Sequence, residues 1–96
     1  IRDRVVAARF TAEKRFADES WSLNSQIPSR ALRTTYKPER AAMNFLHDQL
    51  EKELLTARGL HKIIRLSWTL ADLAGHTIPN LADVQRAHQL REGSEL

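Results

Sequence analysis

An all-α fold, a small bundle of four main helices with a long loop between the first and second, is predicted by three observations. Residues Thr56 to Gly75, TARGLHKIIRLSWTLADLAG, carry apolar side chains over most of a helical circumference. Three other segments show an apolar stripe at helical spacing. Helix-starting residues (Pro38, Thr56, Asn80) and helix-ending residues (Gly75, Gly93) stand at the edges of these segments.

The first helix spans residues 2 to 18, which hold no proline or glycine, and Val5, Ala8, Ala12 and Phe16 share one face. Its other faces carry Arg2, Arg4, Arg9, Lys14 and Arg15 with Asp3 and Glu13, read as a solvated surface. From Ser20 to Tyr36 periodicity stops and turn formers accumulate. A connection this long is uncommon in a compact domain, so a short helical turn is expected from Ser29 to Arg33, after Pro28. Trp21, Leu23, Ile27 and Leu32 are the expected anchors of the loop.

Pro38 fits the first position of the second helix, with Glu39 beside it where the helix dipole favours an anion. That helix is expected to reach Leu55, with Ala42, Phe45, Leu46 and Leu50 inward and Asp48, Glu51, Lys52 and Glu53 outward or at its end. His47 and Glu51, four residues apart, read as a surface pair because no further ligand completes a metal set. Thr56 caps the third helix and Gly75 ends it in the left-handed conformation. Leu60, Ile63, Ile64, Leu66, Ser67, Leu70, Ala71, Leu73 and Ala74 fill most of its circle, leaving one polar strip of Arg58, His61, Lys62, Arg65, Thr69 and Asp72. This is the pattern of a central helix with one face open. Asn80 starts the fourth helix, with Asp83 completing a near capping box and Pro79 and Val84 as a staple. Leu81, Val84, Ala87, His88 and Leu90 lie on or near its inner side, Gly93 ends it, and Ser94 to Leu96 are expected to fray.

The 96 residues suffice for one domain with one modest core. A net charge of +3, from 15 Lys plus Arg against 12 Asp plus Glu, permits contact with phosphates without requiring it. The absence of cysteine excludes a disulfide framework and suits a reducing compartment, and no membrane span or signal peptide is present, so the expected location is the cytoplasm. The chain begins at Ile1 and is read as a piece of a longer protein.

No P-loop, GxGxxG, HExxH or GxSxG pattern occurs, and the four histidines do not fall at zinc or nucleophile-base spacings, so catalysis by this chain alone is not expected. The candidate chemistry is a row of cations on the central helix, Arg58, Lys62 and Arg65 at i, i+4 and i+7. A helix N-terminus favours anions, and an arginine there adds a planar fork matched to phosphate oxygens. The alternative is a surface strip salt-bridged to Glu51, Glu53 or Asp72.

LNSQIPSRALR (Leu23 to Arg33), LLTARGLHKIIRLSWTLADLAG (Leu54 to Gly75) and ADVQRAHQLR (Ala82 to Arg91) resemble, in order, the C-terminal domain of magnesium-chelatase-like AAA+ ATPases, most of all the bacterial ComM/YifB branch. The resemblance covers nearly the whole chain. It implies a helical lid following an ATP-binding α/β domain, with ATP and Mg²⁺ held mainly by that domain. It also implies that Arg58 is sensor 2, the arginine reaching the ATP γ-phosphate between neighbouring subunits of a ring, a hexamer. Three positions depart from the family pattern. Thr56 replaces a serine, Ser67-Trp68 stands where alanine-arginine is common, and Leu90-Arg91 stands where tyrosine-arginine is usual. Relatives of this kind carry a Lon-protease-like N-terminal segment and act on DNA in natural transformation, whereas the chelatases proper insert Mg²⁺ into protoporphyrin. Two other readings of the residues are a small basic helical DNA-binding module and a helical adaptor anchored by an exposed Trp21 or Trp68.

Overall fold

A computed structural model describes residues 2–94, with side chains from 3 to 91. Among the described residues the chain is all-helical: α1 (Arg2–Arg15), a 3₁₀ turn (Asn24–Gln26), α2 (Ser29–Leu32), α3 (Arg40–Glu51), α4 (Ala57–Ala74) and α5 (Leu81–Ser94). The turn expected after Pro28 is α2. The central position expected for Thr56–Gly75 is that of α4, against which α1, the 3₁₀ turn, α2, α3 and α5 all pack. Leu60, Ile63, Ile64, Trp68 and Ala71 of α4 are buried with Phe16, Ile27, Leu32, Leu46 and Val84 from the elements around it.

Capping chemistry sets both ends of α4. The Thr56 hydroxyl accepts a bond from the Gly59 N–H at 3.0 Å. At the other end Gly75 has φ of 82°, and bonds from Gly75 N to Asp72 O and His76 N to Ala71 O close the helix. Asn80 and Asp83 form a reciprocal capping box on α5: Asp83 N–H donates to Asn80 Oδ1 (2.9 Å) and Asn80 N–H to Asp83 Oδ2 (3.0 Å). Pro79 and Val84, the expected staple, are fully buried.

Several boundaries differ from expectation. α3 begins at Arg40, two residues after Pro38: Glu39 is its N-cap, with ψ of 155°, and the Glu39 N–H is taken by the Pro79 carbonyl 3.0 Å away. It ends at Glu51, where Glu53 N to Leu50 O and Leu54 N to Gln49 O repeat the hydrogen-bond pattern found at Gly75. Here the left-handed residue is Glu53, at φ 58°. Gly93 does not end α5, which continues to Ser94; a helical glycine costs about 1 kcal/mol without breaking the ladder. The expected fraying of residues 95 and 96 lies outside the described residues.

Some expected core positions are exposed. Val5 (41%) and Leu23 (51%) border an open groove, and Leu50 and Leu90 face outward, while Met43 is buried in α3. Ala74, at the end of α4, is also exposed.

The loop between α1 and α3 is held by an aromatic group. Phe16, Trp21 and Tyr36 meet with ring centroids 5.2 to 6.2 Å apart, and Tyr36 packs edge-on against Trp68 at 6.0 Å. Trp68 Nε1–H donates to the Tyr36 carbonyl at 2.8 Å. The Tyr36 hydroxyl donates to Glu19 at 2.8 Å, and burial followed by that bond pushes its pKa up to about 12.

Candidate functional site

The polar strip of α4 is not one continuous open face. Asp72 is buried, its side chain 1% exposed, and it takes two bonds from the Arg15 guanidinium and one from Asn24 Nδ2 at 2.9 Å. The same guanidinium lies 4.4 Å from the centre of the Trp68 ring. Arg15 and Asp72 are therefore an internal tie between α1 and α4, not surface charges, because each neutralises the other where water is excluded. Asn24 extends the tie to the 3₁₀ turn and also reaches Thr69 at 3.3 Å.

Arg65, half-buried, anchors the loop before α2: its Nε–H donates to the Ile27 carbonyl at 2.8 Å and its terminal nitrogen reaches Ser29 Oγ at 3.4 Å. His61, also half-buried, has a pKa below the usual histidine value, first through burial and then through the nearby charges of Arg65 and Arg33.

Arg58 and Lys62 remain. Both are exposed, one turn apart at the N-terminal end of α4, and neither has an ion-pair or hydrogen-bond partner among the described residues. The alternative of a strip bonded to Glu51, Glu53 or Asp72 is not what the side chains form. The backbone beneath Arg58 is fixed by the Thr56 cap and by the buried Gly59, Leu60 and Ile63. The arrangement offers a planar fork, a second cation and a positive helix end, a combination that fits phosphate oxygens.

A metal fits less well. His47 and Glu51 are exposed and do not pair; Asp48 and Lys52 form the surface ion pair on α3 instead, at 3.0 Å. Among the described residues no group of three or more His, Asp or Glu side chains is placed to hold a metal ion. A groove of about 430 Å³ lies between α1, the 3₁₀ turn and the C-terminal half of α4, bordered by Ala8, Leu23, Asn24, Thr69 and Leu73. Thr69 is eleven residues beyond Arg58, about 16 Å along the axis at 1.5 Å per residue, so the groove is a separate feature.

The aromatic adaptor reading is corrected. Trp68 is 4% exposed and Trp21 is half-buried, because Phe16 and Tyr36 enclose them. Arg15 likewise leaves the set of basic residues on α1 that face solvent, which retains Arg4, Arg9 and Lys14; the Arg2 side chain lies outside the described ones.

One residue beside the site, Gly59, went unnoticed in the sequence. Gly59 occupies the third position of α4, and the Arg91 guanidinium of α5 lies close over it. A Cβ at Gly59 would stand 3.0 Å from Leu55 Cδ1 and 3.3 Å from Thr56 Oγ1, and a glycine inside an otherwise apolar helix is the signal of such tight packing. No helix of the described residues is long and apolar enough to cross a membrane.

The chain is 36% identical over 92 residues to uncharacterised proteins of Mycobacterium tuberculosis and Mycobacterium bovis, an alignment covering 96% of this chain and 18% of theirs. It thus spans less than a fifth of the length of these curated relatives. No solved structure matches it significantly. Residues 1–91 match the family described as magnesium chelatase, subunit ChlI C-terminal, and the chain belongs to that family.

Proposed function

We propose that this chain is the helical lid of a magnesium-chelatase-like AAA+ ATPase of the ComM/YifB branch, and that Arg58 is its sensor-2 arginine. The observation that supports the reading most is an exposed, unpartnered guanidinium in the first turn of a rigid central helix, in a chain that matches the family over residues 1–91. In this reading the 96 residues follow an ATP-binding α/β domain of the same polypeptide, which holds ATP and Mg²⁺. Arg58 reaches the γ-phosphate at the interface between neighbouring subunits of a hexameric ring. Lys62 adds positive potential one turn on, and Arg65 contributes its charge while its Nε holds the loop.

The chemistry asked of Arg58 is electrostatic. A guanidinium already held in place neutralises charge on the phosphoryl oxygens without reorganising during the reaction. It also distinguishes a nucleotide with a γ-phosphate from one without. The parent protein is read as a cytoplasmic DNA-processing motor of the ComM type, and the lid alone as inactive. In the full-length protein Arg58→Ala is expected to lower ATP turnover by about 10²-fold or more, the range for loss of one charge-stabilising donor, with the melting temperature unchanged. Wild-type turnover in a folded Arg58→Ala protein sinks the assignment.

A further inference from the structure

The charges of the chain are unevenly spread. Residues 20–38 and 54–71, which hold α2 and most of α4, contain six Lys plus Arg and no Asp or Glu, whereas the other residues hold nine Lys plus Arg against all twelve acids. The net charge of +3 is thus a basic region set on an acidic remainder.

The fold brings the two basic stretches together. α2 packs against α4, and the Arg65 side chain lies across the start of α2, bonded to the Ile27 carbonyl and reaching Ser29 Oγ. Arg30 follows Ser29, and Arg33, the C-cap of α2 with helical backbone angles, stands one turn on. The charges of Arg33 and Arg65 both act on His61, which puts Arg33 beside α4 in space. Arg30, Arg33 and Lys62 are exposed, and none forms an ion pair among the described residues. From Arg58 to Arg65 the cations of α4 cover about 10 Å at 1.5 Å per residue. A nucleic-acid duplex carries one charge about every 1.7 Å of its axis, so several phosphates fall within that length.

The kind of partner follows from the rest of this face. No large hydrophobic side chain is exposed on α2 or α4. The face therefore lacks the anchor that a protein interface buries, and it lacks a ring on which an unpaired base would stack. By contrast α1, the other basic element, intersperses Arg4, Arg9 and Lys14 with Asp3 and Glu13 and exposes Val6 and Phe10 among them.

We infer that the α2–α4 face, built on Arg30, Arg33, Lys62 and Arg65, is a docking surface for the phosphate backbone of a nucleic-acid duplex. Contacts of this kind position a protein on the duplex and carry no base information. The inference does not depend on the role of Arg58, and it gives the motor proposed above a DNA contact outside its nucleotide site.

The test is binding of fluorescently labelled duplex DNA, and of polyglutamate, to the full-length protein over a range of salt concentrations. Wild type is compared with Arg30→Gln plus Arg33→Gln and with Arg4→Gln plus Arg9→Gln, with a thermal melt and ATP turnover without DNA for each. Each phosphate contact contributes about 0.9 to the slope of log affinity against log salt, so loss of both α2 arginines should lower the slope by about 1.8. It should also weaken binding at low salt by about tenfold or more, with melting and turnover unchanged. The α1 pair should stay near wild type. An unchanged slope in the α2 pair, an equal loss in the α1 pair, or tighter binding of polyglutamate than of duplex overturns the inference. A fall in basal turnover in the α2 pair places those arginines at the nucleotide and also overturns it. Should the α2 pair fail to fold, Arg33→Gln alone decides, with a slope lower by about 0.9 expected and an unchanged slope overturning the inference. Wild-type turnover in Arg58→Ala sinks the sensor-2 reading and leaves this one standing, so the two failures are distinguishable.

Discussion

Replacing Asp72 by alanine is expected to destabilise the domain more than its place on a polar strip suggests. The Asp72 side chain is 1% exposed and that of Arg15 13%, and three hydrogen bonds from Arg15 and Asn24 satisfy the carboxylate. Truncation leaves the Arg15 guanidinium without its counter-ion against the face of Trp68. Breaking one partner of a buried pair costs about 3–5 kcal/mol, a large part of the roughly 5–15 kcal/mol that stabilises a domain. At about 4–8 °C per kcal/mol for a chain of this size, the melting temperature should fall by at least about 12 °C. Urea unfolding followed by tryptophan fluorescence measures the loss, since Trp68 reports on the packing at the tie. Replacing the pair together, Arg15→Met with Asp72→Leu, should recover most of the stability, because well-packed apolar residues often substitute for a buried ion pair at little cost. A loss below about 1 kcal/mol in Asp72→Ala, or a double variant no more stable than the single ones, would refute the argument that this tie is internal and desolvated.

Other expectations concern the ends and faces of the same helices. Glu53 takes the left-handed position that Gly75 takes at the end of α4, and an L-residue there pays about 1 kcal/mol or more. Glu53→Gly should raise stability by about that amount in urea unfolding, and a lower midpoint contradicts the account of how α3 ends. His61 titrates below its ordinary value of 6.5 because burial and the Arg65 and Arg33 charges disfavour its protonated form. The folded chain thus binds the proton less tightly than the unfolded one. The associated stability is fully present above about pH 6.5 and is lost as pH falls below that value toward the depressed folded pKa. His61→Gln should flatten this part of the stability profile, and curves of the same slope for both proteins contradict the assignment.

The parts of the fold that were legible in the sequence are those governed by neighbours along the chain. Thr56 and Gly75 bracket α4 as their capping chemistry requires, and Asn80 and Asp83 meet across one turn. Periodicity also brought Ile63, Ile64 and Leu46 to the core. What it missed depends on partners distant in sequence. Asp72 reads as one more polar residue until Arg15, 57 positions away, is seen to cover it. Trp68 reads as a candidate surface anchor until Tyr36 closes over it. The stop at Glu51 carries no glycine, so the turn that ends α3 left no mark in composition. At the candidate site Arg58 was visible as a cation one residue inside a capped helix, but the approach of Arg91 is a property of how α5 crosses α4.

The central claim is that Arg58 meets the γ-phosphate, and the ratio of ATP to ADP affinity in the full-length protein tests it most directly. ADP lacks the phosphate that Arg58 is proposed to hold. Arg58→Ala should therefore weaken ATP binding about tenfold or more, the worth of one charge-assisted bond to phosphate, and leave ADP binding near the wild-type value. Equal losses for ATP and ADP, or no loss for either, would contradict the claim.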